Sequence, residues 1–443
     1  MSTEELYKLY RECGCTVSTD SRSVPAGAIF FALRGENFDG NEYALKALEA
    51  GASYAVVNSD AYRSGSADGR IIPVEDPFRE LQALAIHHRE TLGVPVIGLT
   101  GTNGKTTTKE LIAAALGAKF RVSATKGNLN NDIGVPLTLL SMRPDTEIAV
   151  VEMGANHPDD IAKLVKVSRP DYGYITNVGK AHLLGFGSYE GVLAAKTELY
   201  KWLGTHRGSV IFVNTDHPDL AASARAQACH LWEFSRESSG VKVLETTADD
   251  PYLRLTYRGV TLKTRLVGAY NADNVLAALS IAEYFGVGKD SAVKAIEAYI
   301  PSNNRSQLVR TGRNTLIVDA YNANPTSMGL AIDNLASLHA GRKLALLGDM
   351  RELGAGSLEE HVAVVKKLIS LRVPAYLVGE EFGRAVSSLG ITPGGDCVIR
   401  GVFRTSEELA SFIKEDPEHM FSSVTVLVKG SRGIRMETVI PEL

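Results

Sequence analysis

Residues 98–107 read Gly-Leu-Thr-Gly-Thr-Asn-Gly-Lys-Thr-Thr, between an apolar run at 95–100 and a helical pattern over 107–116. A glycine-rich turn between strand and helix lets several backbone N–H groups face one anion, and the helix N-terminus adds its dipole. That is the chemistry of a phosphate loop. Thr102, Asn103, Gly104 and Thr107 would line the nucleotide, Lys105 would reach the β- and γ-phosphates, and Thr106 would offer its hydroxyl to Mg²⁺. The strict pattern wants glycine five places before Gly104, where this chain has Leu99, with Gly98 one place away. The competing reading is a glycine-rich turn with an incidental lysine.

A second constellation is Asn271 and Asn274, spaced i and i+3 at the start of a helical run that ends near 285. On a helix that spacing puts both amides on one face, and an amide offers donor and acceptor together, as an adenine edge requires. Asparagine is also a preferred N-cap, so helix capping is the alternative.

These groups need a scaffold. The chain has 443 residues, which predicts two to four domains, and 44% apolar with 22% charged residues is an ordinary globular mixture. The net charge of −4 gives no basic surface for nucleic acid or an anionic membrane. The charged N-terminal segment lacks the apolar core of a signal peptide, and no stretch approaches the length of a membrane span. Cys13, Cys15, Cys229 and Cys397 are scattered, which reads as reduced thiols in a cytoplasmic protein.

Three blocks follow. Residues 1–85 hold strand candidates at 28–33 and 54–58, a short helix at 42–50, and the start of a helix over 77–91 capped by Asp76-Pro77. Residues 86–306 alternate apolar runs (95–100, 147–154, 171–179, 209–214) with helical patterns, predicting a mostly parallel sheet covered on both faces. Its functional groups should gather at the carboxyl ends of the strands. Residues 307–443 repeat the alternation with strands at 315–321, 343–350, 375–380 and 424–430 and helices near 358–371 and 405–414, a smaller Rossmann-like domain without a GxGxxG turn. The expected fold is therefore α/β in three domains.

The phosphate loop is followed in order by GNLNNDIGVP (127–136), EMGANH (152–157), NVGKAH (177–182), KTE (196–198), NADN (271–274), DAYNANP (319–325) and LGDMRELG (347–354). This set resembles the Mur ligase family, from Asp20-Ser21-Arg22 to Lys429-Gly430-Ser431. The resemblance implies an ATP-dependent amide ligase of the type that adds D-alanyl-D-alanine to UDP-N-acetylmuramoyl-tripeptide through an acyl phosphate. A sibling activity that adds a single amino acid, or a nucleotide-binding regulator without catalysis, is the alternative. It implies three domains: a UDP-precursor-binding domain, a central ATPase-like domain and a C-terminal Rossmann-like ligase domain. It also implies catalytic roles for Lys105, Glu152, His182 and Lys196, and a probable monomer without nucleic acid or membrane insertion.

By that resemblance Thr106 and Glu152 bind one Mg²⁺, and His182 binds a second together with a CO₂-derived carbamate on Lys196. A bare ammonium cannot ligate Mg²⁺, whereas carbamate oxygens can. Thr197 stands where the family usually has glycine. Arg305 would reach an ATP phosphate, with Asn304 where related chains carry glycine, and Asp319 would accept the ribose hydroxyls or merely cap a helix. Substrate contacts are expected from Ser21 and Arg22, from Asn128, Asn130 and Asn131, and from Tyr321, Asn322, Asn324, Asp349 and Lys429.

Overall fold

Apolar runs rich in Val, Ile and Leu form the interior strands of parallel sheets, and the computed structural model describes residues 1–443 except 37, 63–68, 182, 248–249, 302–304, 340 and 417–419. The first sheet is parallel throughout, in the order Val17–Ser18, Ile29–Phe31, Tyr54–Asn58, Ile71–Val74. The helix Pro77–Leu92 leaves it. Asp76 accepts the N–H groups of Phe78 and Arg79, and Gly93 ends the helix at φ 60°.

The central sheet has six parallel strands in the order His230–Phe234, Val210–Asn214, Tyr172–Ile175, Val96–Thr100, Ile148–Glu152, Val122–Ala124. Apolar clusters cover both faces, so its strands read as continuous apolar runs. A three-stranded antiparallel sheet, Lys242–Leu244, Tyr252–Tyr257 and Val260–Val267, was not anticipated. Its hairpin turns at Arg258 (φ 46°) and Gly259 (φ 80°), the two positive angles a tight type I′ connection needs.

The third sheet orders Gln307–Arg310, Thr315–Asp319, Val424–Lys429, Arg342–Gly348, Ala375–Val378, Ile399–Phe403, antiparallel only at its first strand. Helices Pro325–Ser337, Ser357–Ser370 and Glu380–Ser388 cover one face, and Ser406–Glu415 with the C-terminal turns covers the other. The central and third sheets turn their carboxyl ends toward one cavity of about 680 Å³.

Candidate active site

The phosphate loop bends at Gly101 (φ 142°), where a β-carbon would fall 2.0 Å from Thr176 Oγ1. Leu99 instead lies inside the strand Val96–Thr100 and is fully buried. The turn therefore needs its glycine at 101, and apolar side chains suit position 99. Thr102 N–H donates to Asn177 O at 2.9 Å, and Asn103 N–H to Asn177 Oδ1 at 3.0 Å, which ties the loop to the end of a neighbouring strand. Lys105 Nζ donates back to Gly101 O (2.6 Å) and Thr102 O (3.0 Å). Enclosure pushes the Lys105 pKa down to about 8, with nearby Glu152 opposing and Arg305 adding to the shift.

Glu152 ends its strand buried beneath this loop. Its Oε1 accepts Asn130 Nδ2–H at 2.8 Å and the Thr106 hydroxyl at 3.3 Å, while Oε2 is buried without a partner among the described residues. An unpaired carboxylate oxygen beside a threonine hydroxyl is a donor set that suits a hard cation. Lys196 ends the helix Tyr189–Lys196 and is 1% exposed. Its Nζ donates to Ala155 O at 3.1 Å and lies 5.2 Å from the Phe186 ring centroid. Burial, and then the charge of Lys105, hold its pKa well below the ordinary lysine range. A neutral amine there is the form that adds CO₂. His182 lies outside the described residues.

On the other side of the loop, Asn274 packs against Gly104, where a β-carbon would sit 2.7 Å from Asn274 Oδ1. Asn274 accepts from Thr108 (3.0 Å) and donates to Asn271 Oδ1 (2.9 Å); Asn271 donates to Val267 O (2.9 Å) and Ser306 Oγ (3.2 Å). Asn271 stands at the helix N-cap without a side-chain capping bond. The amide pair instead joins the phosphate loop to the hinge. There Ser306 adopts φ 47°, a left-handed conformation that non-glycine residues take at a cost. Its N–H donates to Asp319 Oδ1 at 3.3 Å.

Asp319 Oδ2 receives Lys429 Nζ at 2.5 Å, and Lys429 is 1% exposed and also donates to Asn322 O. Asn324, not Asp319, caps the next helix, in a reciprocal box with Ser327. Asn324 Nδ2–H also reaches across to Asn103 Oδ1 at 2.7 Å. Arg305 stacks on Tyr321, 3.7 Å from the ring centroid, with a buried Nε that has no partner among the described residues.

With this geometry in hand, the sequence models of the Mur ligase family match along the chain: its catalytic domain at 16–89, its middle domain at 99–282 and its glutamate ligase domain at 304–432. The UDP-N-acetylmuramoyl-tripeptide–D-alanyl-D-alanine ligase of Bacillus subtilis (strain 168) is 33% identical over 96% of this chain and 92% of its own. The chain belongs to the Mur ligase family. The Escherichia coli (strain K12) ligase of the same description is 34% identical, covering 96% and 93%. The crystal structure of MurF from Acinetobacter baumannii superposes with a TM-score of 0.83 at 31% identity, covering 97% and 93%. MurF ligase from Thermotoga maritima in complex with ADP gives 0.81 at 27%, covering 96% of each chain. The three-domain Mur ligase fold accounts for the order of the sheets.

Not every expected residue faces this Mur ligase cavity. Asn128 and Asn130 line it, but Asn131 accepts Gly134 N–H at 2.8 Å and serves the turn into a helix. Asp349 is withdrawn as well: it is buried and accepts the N–H groups of Glu381 (3.0 Å) and Phe382 (2.9 Å), capping the helix Glu380–Ser388. Burial holds its pKa above the usual carboxylate value. Lys429 faces the cavity with its charge already answered by Asp319. Ser21 is buried in the first domain, and Arg22 is 86% exposed in a bidentate pair with Asp20, outside the cavity lining. Conversely, Arg351, Arg432 and Asn177 line the site and were not singled out. Asn177 and Arg351 sat inside quoted motifs; Arg432 carried no local signal.

Proposed function

We propose that this Mur ligase joins D-alanyl-D-alanine to UDP-N-acetylmuramoyl-tripeptide in the cytoplasm, hydrolysing ATP to ADP and phosphate, as a monomer in peptidoglycan synthesis. The single observation that carries the reading is the convergence in one cavity of the loop lysine Lys105, the half-paired Glu152 and the third-domain residues Asp319, Tyr321 and Asn324. The family relationship supplies the reaction class. The precursor carboxylate attacks the γ-phosphorus and ADP leaves; the dipeptide amine then attacks the acyl phosphate and phosphate leaves.

The chain's own work is positioning and charge neutralisation. Lys105 exchanges its two carbonyl partners for phosphate oxygens. Arg305 offers a second cation from the hinge, Asn271 and Asn274 set the nucleotide side of the loop, and Asp319 meets the ribose. Asn130 orients Glu152 by its 2.8 Å bond. Thr106 and Glu152 would hold one Mg²⁺, and His182 with carbamylated Lys196 a second; bound Mg²⁺ offsets phosphate charge as it transfers. Asn128 stands on the acceptor side, and Ser21 and Arg22 would receive the UDP moiety, Arg22 leaving Asp20 for a diphosphate. The boundaries near 85 and 306 divide these tasks.

The test is phosphate release from ATP with UDP-muramyl-tripeptide present, comparing D-Ala-D-Ala with single amino acids. Release that depends on both the precursor and the dipeptide is expected. Release with a single amino acid in place of the dipeptide, or with ATP alone, overturns the reading.

A further inference from the structure

A dipeptide nucleophile carries a carboxylate that stays charged from entry to product, so its site needs a cation that no other group has claimed. This inference rests on the reading above. Among the cavity's cations, Lys105 and Arg305 border the phosphate loop, and Lys429 is spent on Asp319. Arg351 and Arg432 remain, and neither is paired with a carboxylate of the described residues.

Both follow adjacent parallel strands, Arg342–Gly348 and Val424–Lys429, whose ends pair at Leu347 and Lys429. After the first strand the chain turns to helices on one face of the sheet, and after the second to turns on the other face. A sheet opens a crevice at such a switch point, and ligands of open α/β sheets bind there. The two loops are sewn together at its mouth: Ser431 N–H donates to Asp349 O (3.1 Å), and Arg351 N–H to Ser431 Oγ (2.9 Å).

The side chains are also held. Arg351 lies so close to Gly433 that a β-carbon there would fall 2.3 Å from Nη1. Arg432 Nη1 donates to the Tyr321 hydroxyl at 3.2 Å, and its Cζ lies 5.2 Å from that ring's centroid. The same ring carries Arg305 at 3.7 Å. Tyr321 thus sets the phosphate-facing cation apart from the second one by the width of a ring. An extended dipeptide spans about 7 Å, whereas a single amino acid spans about half of that.

We propose that Arg351 and Arg432 receive the terminal carboxylate of the incoming dipeptide and so select a dipeptide over a single amino acid. The probe is D-alanyl-D-alanine against its C-terminal amide, which keeps the nucleophilic amine and removes the charge. The wild-type enzyme is expected to show a KM about tenfold to a hundredfold higher for the amide, the range of a charge-assisted contact. In Arg351→Gln and Arg432→Gln the ratio of the two KM values should fall toward one, because the KM for the acid rises and that for the amide does not. A wild-type enzyme with the same KM for acid and amide overturns the proposal. So do variants that raise both values alike, the signature of a merely structural role. Absence of any dipeptide-dependent release by the wild type is a different result, and it removes the functional reading itself.

Discussion

Lys105 is held in a neutralisable state by the loop it belongs to. Its pKa of about 8 comes chiefly from enclosure, and a bound triphosphate would restore the charged form. The sign follows directly. Below about 8 the free enzyme already carries the proton, and above it nucleotide binding must take one up. Affinity for an ATP analogue should therefore weaken as pH rises through about 8, by up to tenfold per unit, with net proton uptake. Calorimetry in buffers of different ionisation enthalpy checks this; binding without proton uptake at pH 9 would exclude Lys105 as the phosphate partner. Lys196 makes a separate prediction. Lys196→Ala should lower turnover by at least about a hundredfold, as loss of a charge-stabilising group does. Bicarbonate with a short-chain carboxylic acid should restore part of it, and unimpaired turnover in the variant would refute the carbamate. The types of both lysines were readable in the sequence. Their charge states were not, because burial and the company of other cations arise only when separated segments meet. The same holds for Lys429, whose partner Asp319 is 110 residues away, and for Asp349, whose motif gave no hint of the helix it caps.

At the scale of elements, Asn324 does two jobs with one amide. Its Oδ1 accepts Ser327 N–H and starts the helix Pro325–Ser337, while its Nδ2 holds Asn103 of the phosphate loop. The two can be separated. Asn324→Asp keeps the cap and loses the donor, so thermal stability should hold while KM for ATP rises several-fold. Asn324→Ala loses both and should also cost about 1 kcal/mol of stability. Denaturant unfolding and steady-state kinetics on both variants read the two effects; equal KM values for wild type and Asn324→Asp would show that the cross-domain bond is idle. Elements themselves were legible where the signal was local. The strand Tyr54–Asn58 and the Asp76-Pro77 helix start emerged as expected, because apolar runs and caps act over a few residues. The antiparallel sheet escaped although its period-two pattern was present: buried Leu253, Leu255 and Tyr257 alternate with more exposed neighbours. It lay in a block dominated by continuous apolar runs, and the Arg258-Gly259 turn is weaker than an Asn-Gly signal.

Across the whole molecule the domains are joined in unequal ways. One apolar cluster runs from Leu6 and Phe31 through Leu84 to Val151 and Leu199, so the first and central sheets share a core. Tyr10 adds a 2.6 Å bond to Leu140 O from the N-terminal helix. The third sheet has its own cores and meets the phosphate-loop side through polar contacts: Asn324 with Asn103, Leu184 N–H with Glu352 O, and Lys180 with Glu360 at 2.8 Å. Polar contacts exchange for water at little cost, whereas opening the shared core would expose apolar surface, so motion should concentrate at the hinge near Ser306. The Lys180–Glu360 pair offers a direct test, since Glu360 raises the Lys180 pKa and neither group lines the cavity. Lys180→Glu sets two carboxylates face to face. A pair of this exposure is worth roughly 0.2–1 kcal/mol, enough to move a balanced equilibrium up to about fivefold toward the open form. At low ionic strength the radius of gyration from small-angle scattering should rise, and the reversed pair, Lys180→Glu with Glu360→Lys, should return it to the wild-type value. At ~1 M salt, where the screening length is about 3 Å, the three proteins should converge. A third domain fixed in place would give superimposable curves at every salt concentration, and closure would then have to be sought within the cavity loops instead of at the hinge.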